Sequence, residues 1–407
     1  MKILWHSGAP WAGTGYGVQT ALFTPRFRDL LGHDVDISAT WGLGGDTLEW
    51  DGIKVYPADE RYGNATLAPL YDRVQPDVLV ALLDSWILRP EIIKGRKVAV
   101  WAPVDHDPCP PAVAKFFHAS GARPIAMSRF GEKALKAEGL DPLYVPHGVD
   151  TKQFRVAANT AEVRDALKVP QDAFLVGMVA NNQGHAPPRK AFPQAIQAFA
   201  AFQKQHDDAL LFLHTEMSGK RGRGPYQGID LLGLLDRFEI PINAIHWTDQ
   251  VSHELGIPPG YMVGLYNAMD VLLSPSYGEG FGVPIIEAQA CGTPVIVTNW
   301  TSMPELCGAG WIVGGEPVWH TVPDGGADSF WMAPFVGDII EALNQAYKAR
   351  DDQGLREQAW RFAQGYDADY VTETYWKPVL EALTKPREVA PLPNRAARRA
   401  ASKAKAA

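Results

Sequence analysis

Cysteine is scarce in this 407-residue chain, and its three copies, Cys109, Cys291 and Cys307, form no C-x-x-C pair. Neither a disulfide framework nor a sulfur-based zinc site is therefore written into the sequence. The three read as small buried residues in a reducing compartment. Long apolar runs are missing too: no stretch approaches the roughly 18 uncharged apolar residues that a membrane-spanning helix needs. The opening Met1-Lys2-Ile3-Leu4-Trp5-His6-Ser7-Gly8 is too short for the apolar region of a signal peptide and reads as a first strand. A cytoplasmic location is the expectation. An excess of basic charge is also lacking, the formal net charge being −8. Five basic residues and no acid crowd into 394–407 (Arg395, Arg398, Arg399, Lys403, Lys405), so the remainder is five charges more negative than the total. Such a body excludes a general nucleic-acid binder. The segment 386–407 reads as a disordered basic tail, able to touch an acidic partner. Finally, no G-x-G-x-x-G opens the first strand unit, which argues against a dinucleotide-dependent dehydrogenase.

What is present is alternation. Strand-like runs at 3–6, 35–40, 78–82, 97–101, 124–127 and 143–145 are separated by helical patterns at 18–31, 112–118 and 131–137. The same grammar restarts at 174–179 and continues at 209–214, 245–247, 271–273 and 293–297, with helical patterns at 191–203, 262–267 and 284–291. Strands alternating with helices predict parallel sheets covered on both faces. The fold class expected is α/β, with two Rossmann-like domains facing each other and joined near 155–172. The first spans 1–160 and the second 161–367. A last aromatic-rich helix, near 368–385, follows the helical patterns at 338–350 and 354–365. Open parallel sheets bind ligands at the C-terminal ends of their strands, so a crevice between the two is the expected site.

The most informative segment is Tyr277-Gly278-Glu279-Gly280-Phe281-Gly282-Val283-Pro284-Ile285-Ile286-Glu287-Ala288. A glycine-rich turn opens a helix with Pro284 at its start, a favoured position. The backbone amides of Phe281, Gly282 and Val283 then point out of the helix start, where they can bind anions or polar oxygens. Glu279 and Glu287 each offer two acceptor oxygens, suited to paired hydroxyls of a sugar or ribose. The spacing and setting, E-G-F-G-x-P-x-x-E-A, closely resemble the E-x7-E motif of the GT-B fold, family 4 retaining glycosyltransferases. Cys291-Gly292-Thr293-Pro294-Val295-Ile296 and Val145-Pro146-His147-Gly148-Val149-Asp150, followed by Phe154, resemble two further segments of that family in the expected order.

The resemblance implies a nucleoside diphosphate sugar as co-substrate, no cofactor and no metal. It implies that Glu287 holds the ribose, that Glu279 holds the donor sugar, and that the Phe281 and Gly282 amides support sugar and phosphate. Relatives carry an arginine and a lysine-glycine after the strand corresponding to 174–179. Lys190 fits the lysine and Arg189 supplies a second cation, although Asn181 and Asn182 stand where the arginine is common and Ala191 replaces the glycine. Cations there stabilise the charge that grows on a departing diphosphate. In the loop Ser7–Gly17, Gly15 is the expected close approach to the donor phosphate and Tyr16 an acceptor contact. Asp105-His106-Asp107, read alone, also fits a D-x-D metal motif. The resemblance instead implies that His106 contacts the donor sugar, with Asp105 orienting it or binding the acceptor. His147 reads as a turn cap, and His214 and Glu216 as structural or nucleotide-edge residues. The final helix is expected to return to the first domain, anchored by Tyr370, Tyr375 and Trp376. The implied activity is retaining transfer of a sugar, a hexose by this likeness, to an acceptor hydroxyl on a saccharide, lipid, protein or modified nucleic acid. The competing readings are a nucleotide-sugar-binding protein with a degenerate site, and an epimerase or phosphorylase of the same architecture.

Overall fold

The computed structural model describes residues 1–58, 62–184, 188–219, 227–321 and 328–385. The expected tail at 386–407 lies outside the described residues, as do His185, Ala186 and Pro187. Sixteen strands are described. The first eight are β1 (Lys2–Gly8), β2 (Asp34–Trp41), β3 (Leu48–Trp50), β4 (Ile53–Pro57), β5 (Val78–Leu82), β6 (Val98–Ala102), β7 (Arg123–Ala126) and β8 (Leu143–Tyr144). They form one sheet in the order β3-β4-β2-β1-β5-β6-β7-β8, in which only the β3–β4 pair is antiparallel. The second sheet contains β9 (Phe174–Val179), β10 (Ala209–His214), β11 (Ile245–Trp247), β12 (Val271–Ser274), β13 (Val295–Thr298) and β14 (Gly310–Val313). Its order is β11-β10-β9-β12-β13-β14, with every pair parallel. Two parallel α/β units are thus present, as the alternation predicted. Their central strands are buried on both faces: every residue of β5, β6 and β13 is buried, which is why they read as unbroken apolar runs.

Three features depart from the sequence reading. The first helix starts at Gly15, inside the segment expected to be loop, because Thr14 accepts a hydrogen bond from the Gly17 amide and caps it. Gly17 is required there, since a Cβ would collide with the carbonyls of Ala9 and Ala12. The last helix is not continuous: Ala368–Val371 and Lys377–Thr384 are α-helical, with a π-helical stretch, Thr372–Trp376, between them. That wider turn is how the chain seats Trp376 fully buried among Trp5, Phe23, Phe27 and Trp101 of the first unit. Last, an antiparallel hairpin of β15 (Gly315–His320) and β16 (Ser329–Pro334) follows β14 and belongs to neither large sheet.

Candidate functional site between the two sheets

The loops at the C-terminal ends of both sheets meet through glycine. Gly278 and Gly280 flank Glu279. A Cβ on Gly278 would strike the Asp105 carbonyl, and one on Gly280 would strike Pro103. The second unit's glycine turn is therefore seated directly on the loop that follows β6. Around Glu279 the backbone is fixed from behind. Its amide donates to Thr301 Oγ1 (3.1 Å), and Ser302 Oγ donates to the Glu279 and Phe281 carbonyls at 2.8 and 2.7 Å. Glu305 extends the contact between units by accepting from the Arg129 and Phe130 amides at 2.9 and 3.2 Å. The Thr301–Glu305 segment thus braces the turn.

Glu279 is only 7% exposed. Arg189 donates to its Oε2 at 2.9 Å and to the Gly278 carbonyl at 2.7 Å, and Lys190 Nζ pairs with its Oε1. Burial alone would push this carboxyl up. The two cations outweigh it and hold Glu279 at about 2. Burial, and then the neighbouring Arg189, push the Lys190 ammonium down. Both predicted phosphate-binding cations therefore lie beside the predicted sugar-binding acid. Asn182, where relatives often place arginine, is structural: its amide donates to the Glu216 and Ile229 carbonyls at 2.9 and 2.8 Å, and its carbonyl accepts from the Ile229 amide at 3.0 Å.

Glu287 sits on the helix Val283–Ala290, with Gly282 (φ 112°) just before it, in a conformation that favours glycine. It is half-buried and accepts from the Tyr266 hydroxyl at 2.7 Å. Burial raises its carboxyl to about 7, against the pull of that hydrogen bond. An acid raised in the folded state lets the unfolded chain lose its proton first. Its effect on stability is neutral below the ordinary 4.5 and becomes a growing cost up to about 7. Thermal unfolding followed between pH 5 and 7.5 should show a stability decrease that Glu287→Gln flattens; an unchanged slope in that variant would contradict the assignment.

His106 is 5% exposed in the loop that follows β6. Asp105 Oδ1 lies 2.7 Å from its Nδ1, and His320 Nδ1 lies 3.0 Å from its Nε2. Despite burial, Asp105 is held at about 2, with His106 the leading opposing influence. Tyr16 lies in the same cluster, hydrogen-bonded to Asp84, and burial followed by the charges of Asp84 and Asp105 pushes its phenol up. Burial, and then Asp105, raise Asp84 to about 6. The sequence reading missed Asp84, His320 and Trp331. Only Asp84 had a legible signal, as a carboxylate at the C-terminal end of a central parallel strand. Gly15 lies at the cap of the first helix, open on its Cβ side. His147 is no turn cap: it is buried, stacked on Trp101 at 4.3 Å, and burial lowers it to about 3. His214 accompanies Thr248 (2.8 Å) at the ends of β10 and β11.

Residues 160–311 match the family described as glycosyl transferases, group 1. A D-inositol 3-phosphate glycosyltransferase of Actinosynnema mirum is 30% identical over 256 residues, which cover 61% of this chain and 52% of that protein. O-antigen chain mannosyltransferase B of Escherichia coli is 27% identical over 165 residues, 36% of this chain and 43% of that one. The chain spans about half, or less, of the length of such relatives. Among solved structures, sucrose-phosphate synthase from Thermosynechococcus elongatus superimposes with a TM-score of 0.70 at 17% identity, over 94% of this chain and 99% of that one. Anabaena HepE in complex with UDP-glucose gives 0.65 at 16% identity, over 94% and 100%. Two facing Rossmann-like units of this kind define the GT-B fold. The chain has that fold, and its second unit carries the match to the glycosyl transferases, group 1.

Proposed function

We propose that the protein moves a sugar from a nucleoside diphosphate sugar to an acceptor hydroxyl, with retention at the anomeric carbon and without a metal ion. The observation that carries this reading is the convergence of Glu279, Arg189, Lys190 and His106 where the two sheets face each other. In this reading Glu287 accepts the ribose hydroxyls. The helix-start amides of Phe281, Gly282 and Val283 face sugar and phosphate. Arg189 and Lys190 exchange part of their contact with Glu279 for the diphosphate, and Glu279 turns to sugar hydroxyls. His106 holds the sugar and Asp105 orients its ring. Tyr16, with Gly15 at the loop's close approach, lies on the acceptor side. The bond from the anomeric carbon to the phosphate oxygen breaks, the acceptor oxygen bonds to the same face, and the departing phosphate takes the acceptor's proton. The growing phosphate charge is what the cations stabilise. Lobe closure limits the entry of water. No described helix is long and apolar enough to cross a membrane.

A panel of nucleotide sugars tests this reading. One member at about 100 times its Kd should stabilise the fold by about 2.7 kcal/mol, a shift of several degrees in Tm. The same compound should slowly release its nucleoside diphosphate. A panel that neither raises Tm nor is hydrolysed would sink the assignment. Stabilisation without any turnover would instead favour a binding protein.

A further inference from the structure

The β15–β16 hairpin stands between the two units and touches both. Toward the first, the Asp107 amide donates to the Phe330 carbonyl at 3.2 Å, and Ser329 Oγ donates to the Pro108 carbonyl at 2.5 Å. Toward the second, the Met332 amide donates to the Tyr277 carbonyl at 2.9 Å, two residues before Glu279. The register pairs Val318 with Trp331 and His320 with Ser329. Because directly opposed residues share a face, Val318, His320 and Trp331 point one way and Trp319 and Phe330 the other. The first face is turned inward: Trp331 is 6% exposed and clusters with Tyr277 and Ala191, whereas Trp319 is 58% exposed. Three rings then lie nearly parallel. His320 stacks on Trp331 at 3.6 Å and 12°, and His106 stacks on Trp331 at 4.7 Å and 19°. This hairpin therefore reaches the imidazole at the centre of the site, on the side opposite Asp105.

The consequence concerns hydrogen-bond capacity. A neutral imidazole has one donor and one acceptor nitrogen. Asp105 takes Nδ1 of His106 and His320 takes Nε2, so both are occupied within the protein. A sugar hydroxyl can meet the ring nitrogens of His106 only by replacing one partner. Asp105 is the preceding residue in the chain and stays beside it. His320 is carried on a two-stranded hairpin outside both large sheets and is the partner that can leave. We propose that His320 is a positioning residue that occupies the donor-sugar subsite until a donor arrives: it holds Nε2 of His106 in place of a sugar hydroxyl, and donor binding displaces it. This rests on the reading of the site as a nucleotide-sugar site. It further implies that Trp331, stacked on both rings, becomes a wall against the bound sugar.

Displacement costs affinity for the sugar half of the donor but not for the nucleotide half. The test is calorimetric titration of the full chain, wild type, His320→Ala and His320→Asn, with UDP and UDP-glucose and with GDP and GDP-mannose. His320→Ala should bind the accepted nucleotide sugar about five-fold more tightly, the scale of one net hydrogen bond. Its affinity for the matching diphosphate should be unchanged. His320→Asn places an amide donor near the position of Nδ1 and should restore wild-type values for both. Equal or weaker binding of the nucleotide sugar by His320→Ala, with diphosphate binding intact, overturns the proposal and makes His320 a structural or direct donor contact. Failure of every diphosphate to bind the wild type overturns the nucleotide-sugar reading itself, and this inference with it.

Discussion

Glu279→Ala is expected to lower kcat/KM by about 10²-fold or more while leaving nucleoside diphosphate binding unchanged or tighter. The two halves of that result have different causes. The carboxylate sits at about 2, held there against burial by Arg189 and Lys190, so at neutral pH it is ionised and shared between two cations. Removing it deletes the acceptor proposed for the sugar hydroxyls and so removes transition-state contacts. It also frees both cations, and a diphosphate no longer competes with a carboxylate for them. Mutual repulsion of Arg189 and Lys190 should lower Tm in the unliganded variant, and diphosphate should recover more stability there than in the wild type. Steady-state kinetics, calorimetry with the diphosphate and paired melting curves separate these effects. Parallel loss of turnover and diphosphate binding would mean that Glu279 serves only to hold the turn. The linkage has a definite sign. This acid is depressed in the folded state, so its contribution is present above about 4.5 and is lost as pH falls toward 2.

How much of this was legible in the sequence follows from where each contact is encoded. The parallel strands were readable because burial on both faces leaves continuous apolar runs, as in Val78–Leu82 and Val98–Ala102. The glycine turn around Glu279 was readable because close approach between units demands residues without a Cβ, and Gly278 and Gly280 mark it locally. The hairpin was not readable. Its strand Gly315–His320 contains Pro317, which breaks the strand pattern, and a single residue of β15 or β16 has its meaning set by a loop two hundred positions away. His320 carries no signal of its own, since its partner is His106. Asp84 was overlooked for a related reason: its environment is made by Tyr16 of the first helix and Asp105 of the loop after β6. The π-helical stretch Thr372–Trp376 shares its periodic apolar pattern with an ordinary helix, and only the aromatic cluster it feeds makes the wider turn worthwhile.

That cluster gives the second large expectation. Trp376→Ala should destabilise the first unit by about 3–5 kcal/mol, measured by urea unfolding of the unliganded protein. Trp376 is fully buried, with ring centroids 5.1 Å from Phe27, 4.9 Å from Trp101 and 5.8 Å from both Trp5 and Phe23. Edge-on packing of that kind adds to the area term, and the cavity left by alanine is lined by rings too large to collapse into it. The indole Nε1 is buried with no hydrogen-bond partner, so its removal costs no hydrogen bond. Trp376→Phe should therefore lose far less, about 1–2 kcal/mol. The same substitution tests how the chain's end is held. Arg26 and Lys152 both pair with Asp369 at 2.7 Å, but these partly exposed pairs contribute little by comparison. Once the indole is gone, the segment 368–384 should become susceptible to limited proteolysis while the second unit stays resistant. A Trp376→Ala protein that keeps wild-type stability and resists cleavage there would show that the returning segment is held by its charges, contrary to the packing argument.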